Sequence, residues 1–172
     1  MRLGEVLGLR WADLDLEAGT GRVAQTLQTT MEFDSPKSHR SVRTFNLPPF
    51  LIVALRRHRK AQMERRLQWG QEWHDLDLVI DRGDGAPMRP DTISASFRRT
   101  MRRGGIDLRF HGLRHGHATL MLASGADLKV ISERLGHATI AITADLYTHV
   151  ATETDRRASD AFDAYLTPYL NG

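Results

Sequence analysis

The residues best able to do chemistry cluster in Phe110-His111-Gly112-Leu113-Arg114-His115-Gly116-His117. His111 and Arg114 stand three apart where a helix is expected to begin, so both project from one face near the positive end of its dipole. Free backbone N–H groups and a guanidinium at such a place suit an anion, because one arginine can grip two phosphate oxygens at once. Read alone, H-x-x-R equally describes an arginine that caps or bridges structural elements. A shared metal is a third reading, since His111 and His115 are four apart. It fails on ligand count: no Glu follows His111, His117 falls on the other side of the helix from His115, and the chain has no cysteine.

Further along, Leu135-Gly136-His137 is followed ten residues later by Tyr147, in Asp145-Leu146-Tyr147-Thr148-His149. A phenol with a pKa of about 10 is protonated at neutral pH. Taken alone, Tyr147 reads as a packed or capping residue. Lys37 is one of only three lysines, with Lys60 and Lys129, beside 21 arginines. The basic residues are bunched, six between Arg56 and Arg66 and seven arginines between Arg89 and Arg114, whereas 151–172 is weakly acidic. A basic body with an acidic tail fits a polyanionic partner, and it also fits a pair of solvated helix faces.

The elements that must position these groups follow from periodicity. The 172 residues, 41% hydrophobic and 26% charged, fit one ordinary globular domain. No apolar run approaches the ~18 residues of a membrane span, and no signal-peptide core is evident, so a cytoplasmic chain is expected. The missing cysteines exclude disulfides, thiolate catalysis and Cys-ligated metals. Leu3, Val6, Leu7 and Leu9 read as the last turns of an amphipathic helix. Alternation predicts strands over 22–30 and 41–47, a hairpin whose long tip, turned by Asp34, Ser35 and Pro36, holds Lys37.

Pro48 and Pro49 admit a helix running to about Gln68, with Leu51, Leu55 and Met63 inward. A short strand is expected over 76–81. Asp91 is expected to cap a helix with Ile93, Phe97 and Met101 inward and Arg98, Arg99, Arg102 and Arg103 outward, ended by Gly104 and Gly105. Helices over 111–124 and 127–135 are stopped by Gly125 and Gly136, and two more are expected over 139–148 and 155–165. Trp11, Trp69 and Trp73 read as core or interface anchors. The class is therefore mainly α with a small antiparallel β-sheet (α+β).

In order along the chain, these segments resemble the tyrosine recombinase (phage integrase) family from Arg2 to Tyr147. Arg2-Leu3-Gly4-Glu5-Val6-Leu7-Gly8-Leu9-Arg10-Trp11-Ala12-Asp13 looks like its first box, and Pro36-Lys37-Ser38, before Arg40 and Arg43, resembles its hairpin-tip lysine segment. His111-Gly112-Leu113-Arg114-His115 matches the H-x-L-R-H box, Leu135-Gly136-His137 the L-G-H box, and Tyr147 the nucleophile. Gly116, where many members carry Thr, is a small departure.

The resemblance implies a recombinase catalytic-domain fold and strand cleavage and rejoining of double-stranded DNA through a 3′-phosphotyrosine link. It implies Arg2 and Arg114 as phosphate clamps, Lys37 as general acid, His111 and His137 as proton or hydrogen-bond partners, and Glu5 as an orienting acid. Arg40, Arg43, His115, Arg98 and Arg102 are expected to contact DNA. No metal or other cofactor is expected, because guanidiniums can stabilise the charge that builds on the phosphate. The domain expected is a single catalytic unit, 1–172, lacking its first helices, with 151–172 as a tail docking on a neighbouring protomer. A homotetramer on DNA, a monomer or weak oligomer when free, and a bacterial or phage-derived, nucleoid-associated chain go with it. The alternative from the same resemblance is a catalytically impaired DNA-binding or assembly module. A topoisomerase would share the tyrosine and clamps, but the first box and the L-G-H segment favour recombinases.

Overall fold

A five-residue helix, α1 (Leu3–Leu7), buries Leu7 on one side and Glu5 on the other, so the body of the protein encloses it from two directions. One turn and a half is too short to hold itself, so packing has to hold it. Gly4 and Gly8 let its backbone lie directly on β3 (Thr26–Leu27): a Cβ at residue 4 would fall 2.5 Å from Thr26 Oγ1 and 2.6 Å from the Leu27 carbonyl oxygen, and one at residue 8 would fall 3.1 Å from Thr26 Cα. The computed structural model describes residues 1–34 and 42–136. Lys37, Arg40, His137, Tyr147, His149, the helices expected over 139–148 and 155–165, and the 151–172 tail all lie outside the described residues.

Three short strands form an antiparallel sheet in the order β1 (Leu14–Asp15), β2 (Thr20–Val23), β5 (Arg43–Asn46). Gly21 in the central strand faces Leu14 on one side and Phe45 on the other. A Cβ there would meet the Phe45 ring at 2.6 Å, so the small residue lets the aromatic cover the strand. A separate ribbon pairs β3 with β4 (Phe33–Asp34). The single strand expected over 22–30 is thus broken at Ala24 and Gln25. There the Gln25 side-chain amide donates to the Gly8 carbonyl at 2.9 Å, and the chain passes from one sheet to the other. β1 and β4, two residues each, are too short to show an alternating pattern.

Helix α2 (Pro49–Trp69) starts where the paired prolines allow. Leu51 and Leu55 are half-buried as expected, but Met63 is 49% exposed and its neighbour Gln62 is buried. Gln62 faces inward because it has polar partners there: its carbonyl accepts from the Trp11 indole N–H at 2.6 Å, and its amide donates to the Leu78 carbonyl at 2.9 Å and to Asp81. Trp11 is buried, as expected of an anchor, and stacks on His58, whereas Trp69 is exposed. The strand expected over 76–81 reduces to one bridge, Arg10 to Leu78, flanked by Trp11 N–H to Asp77 O and Val79 N–H to Leu9 O, both 2.8 Å.

Helix α3 (Pro90–Arg103) begins one residue before Asp91, since Pro90 takes the first helical position and Arg89 the cap; Asp91 instead sits in the first turn, where its charge suits the dipole. Then follow α4 (Phe110–Ala123) and α5 (Leu128–Leu135). Phe110 meets Phe97 of α3 edge to face at 5.4 Å. The chain divides into two units, 1–113 and 114–172. In the second, Ala118, Leu122, Ile131 and Leu135 form a buried cluster. Asp127 caps α5 by accepting from the Lys129 and Val130 amides, and Gly136 ends it with φ of +67°, which a side chain would strain. Among the described residues no helix is long and apolar enough to cross a membrane.

Gln62→Leu would strand the buried Trp11 indole N–H and the Leu78 carbonyl. It should lower unfolding free energy by about 2–6 kcal/mol, at about 1–3 kcal/mol for each of the two buried groups left unsatisfied, read by urea titration of tryptophan fluorescence.

Candidate functional site

The first unit arranges its candidate residues around one carboxylate. Arg2 stands just before α1 in extended conformation, and Glu5, three residues on, reaches back to its amide: Arg2 N–H donates to Glu5 Oε2 at 2.7 Å. The Arg2 side chain donates from Nη1 to Oε1 at 3.0 Å. From β5, Arg43 completes the set with Nη1 to Oε1 at 3.1 Å and Nη2 to Oε2 at 2.7 Å. Each Glu5 oxygen therefore accepts one hydrogen bond from Arg2 and one from Arg43. The Glu5 and Arg43 side chains are 6% and 7% exposed, while that of Arg2 is 49% exposed. The acid and its strand partner are thus buried, and the candidate clamp faces solvent.

Burial alone would push the Glu5 carboxyl upward. The hydrogen bonds from Arg43, then the Arg2 amide, the Arg43 charge and the Arg2 side chain outweigh it and hold the group below its ordinary value of 4.5. Glu5 is therefore ionised at neutral pH with its lone pairs occupied. Such a group holds arginines in place rather than carrying protons.

Arg43 was expected among the DNA contacts, and its position differs from that. In β5 the residues alternate, so Arg43 shares a side with the half-buried Phe45 and the buried Leu47, while Val42, Thr44 and Asn46 are exposed. The guanidinium is turned inward onto Glu5 and is buried with it. The signal was present in the sequence: a period of two places residue 43 on the same face as Leu47. A companion cluster has Asp13 accepting from Arg10 at 2.8 Å and from Arg22 at 3.2 Å, which holds its carboxyl low despite burial and ties the turn after α1 to β2.

At the start of α4, His111 and His115 are exposed on one helix. Arg114 is buried, and its Nη2 donates to the Leu135 carbonyl at 2.6 Å. Within the second unit it thus caps the C-terminal end of α5, where a cation also suits the dipole. That is the structural reading of H-x-x-R; a guanidinium has five donors, so this bond does not exhaust it.

The two basic runs differ. On α2, Arg56 pairs with Glu17 at 2.7 Å, Arg65 with Asp81 at 3.2 Å and Arg66 with Asp75 at 2.7 Å, and Arg59 lies over the Trp11 ring. On α3, Arg98, Arg99, Arg102 and Arg103 are exposed and line an open depression of about 430 Å³ with Ala95. Among the described residues none of these four makes an ion pair with an acid. The α3 face is the stronger attractor of anions.

The phage integrase family model matches residues 1–154. The chain is 32% identical over 179 residues to a tyrosine recombinase XerC-like protein of Caldanaerobacter subterraneus subsp. tengcongensis, an alignment covering 95% of this chain and 46% of that protein. It is 29% identical over 170 residues to the ICEBs1 integrase of Bacillus subtilis, covering 96% and 46%. It therefore spans about half the length of the curated relatives it matches. Among solved structures, the Tn1549 transposon integrase in complex with transposon right end DNA has a TM-score of 0.76 at 23% identity, covering 95% of this chain and 55% of that one. That likeness establishes the fold, mainly helical with a small antiparallel sheet.

Because the Glu5 carboxyl is held low, its contribution to stability is full above 4.5 and is lost as pH falls through the lowered value. Glu5→Gln should cost about 3 kcal/mol at pH 7, the scale for breaking a buried ion pair. The gap to the unaltered protein should narrow on acidification below 4.5, measured by urea unfolding at a series of pH values. An equal gap at every pH would contradict the ionised, doubly paired state.

Proposed function

We propose, for a chain that belongs to the phage integrase family, that it is the catalytic part of a site-specific DNA recombinase that cuts and rejoins double-stranded DNA through Tyr147. The observation that carries this reading is the family match over 1–154, which takes in Arg2, Lys37, the His111 to Arg114 box, His137 and Tyr147 in one ordered set. The Tyr147 oxygen attacks a backbone phosphorus, forming a phosphotyrosine bond as the bond to the 5′ oxygen breaks. The phenol proton goes to an imidazole, His111 or His137, and Lys37 protonates the leaving oxygen. Arg2 and Arg114 face the charge that builds on the non-bridging oxygens. Bond energy is conserved in the ester, so a second strand's 5′ hydroxyl can reverse the step without a nucleotide cofactor.

Support for Arg2 comes from its half-exposed side chain, fixed at one nitrogen by Glu5. For DNA binding, support comes from the four exposed arginines of α3 and from the DNA bound in the Tn1549 integrase structure. Arg98 and Arg102 serve as phosphate contacts, and Arg40 and His115 are proposed as further DNA contacts. A homotetramer on DNA, with the 151–172 tail on a neighbour, and a place in the bacterial cytoplasm complete the proposal.

A nicked duplex from the DNA flanking the gene should trap a covalent protein–DNA adduct, and Tyr147→Phe should abolish it. DNA retention without an adduct for the unaltered chain would instead favour a non-catalytic module, and an adduct surviving Tyr147→Phe would refute the nucleophile. Binding should weaken linearly in the logarithm of salt concentration, by about 0.9 per phosphate neutralised. Arg98→Gln with Arg102→Gln should flatten that slope by about two, measured by filter retention across a salt series.

A further inference from the structure

We propose that Arg43 is a positioning residue, which through Glu5 sets where the Arg2 guanidinium stands. The inference rests on the reading of Arg2 as a phosphate clamp and adds to it the element that aims the clamp. Arg2 itself belongs to no strand, and the helix that follows it is five residues long. The Glu5 carboxylate binds both its amide and its Nη1. That carboxylate is in turn fixed by Arg43, whose two terminal nitrogens meet its two oxygens in parallel, the geometry that constrains a carboxylate's plane as well as its position.

Arg43 is the fixed end of this series. Its backbone is paired in the sheet opposite Val23 of β2, and its side chain is buried. The order of rigidity therefore runs from sheet to buried arginine, to buried acid, to half-exposed arginine. Without Arg43, Glu5 would retain Arg2 as a partner but would lose the two bonds that orient it. The carboxylate would then turn with Arg2 instead of directing it, and misplacement of a catalytic group by about 1 Å can cost about 100-fold in rate. A lysine at 43 keeps the charge and loses the paired geometry.

The test uses Arg43→Lys in the full chain, checked for folding by its thermal transition. In the absence of DNA, side-chain nitrogen NMR should show the Arg2 guanidinium rotating slowly in the unaltered protein and freely in the variant. An unchanged Arg2 signal overturns the proposal, whether or not the chain cleaves DNA. On the nicked duplex, adduct formation in a single turnover should fall about 10- to 100-fold, with the salt slope of DNA binding unchanged. Arg2→Ala combined with Arg43→Lys should be no slower than Arg2→Ala alone. A salt slope reduced by about one would make Arg43 a phosphate contact, and additive losses would make its effect independent of Arg2; either result overturns the proposal. Should no adduct form with the unaltered chain while the NMR change appears, the catalytic reading fails and the coupling of Arg43 to Arg2 stands.

Discussion

A carboxylate buried with four hydrogen-bond donors around it is the constraint on which the front of this protein depends. Arg43 and Arg2 together outweigh the burial that would otherwise push the Glu5 carboxyl upward, and Glu5 in turn binds Arg2 at both its amide and its side chain. The same acid joins three kinds of structure, a chain segment in extended conformation, a helix of little more than one turn and a strand edge. It does so beside the close backbone contact that Gly4 and Gly8 allow between α1 and β3.

The parts of the fold legible in the sequence are those written in repeated, local signals. α5 is legible nearly to the residue because Asp127, the Leu128, Ile131 and Leu135 stripe, and Gly136 state its start, its inner face and its end independently. The end of α3 was equally clear at Gly104 and Gly105, while its start shifted because Pro90 outranks a capping acid beside it. Failures came where a distant partner overrides the local pattern. Gln62 is inward and Met63 outward only because Trp11, Leu78 and Asp81 offer the amide three partners from other parts of the chain. β1 and β4 are set by pairing, and no pattern of two residues can announce that.

The candidate site divides in the same way. The spacing of Arg2 and Glu5 is local, and their bond to each other could be anticipated from it. Arg43 is 38 residues from Glu5, and its charge drew the reading toward solvent although its strand neighbours Phe45 and Leu47 point the opposite way. A charged residue in register with apolar ones deserves to be read as buried and paired first. Arg114 illustrates the converse, since its cap on α5 is a structural duty that motif matching alone does not reveal.

The unequal treatment of two arginine-rich helices has an electrical consequence. On α2 much of the positive charge is cancelled within a few ångströms by Glu17, Asp75 and Asp81, so its field fades quickly with distance. On α3 four exposed guanidiniums line one depression, and among the described residues none of them is in an ion pair with an acid. The molecule's first unit thereby has a lopsided potential and experiences a torque near any strongly negative polymer. Such a polymer would draw the α3 face toward it first, a preference that would vanish once dissolved ions shrink the screening length to a few ångströms.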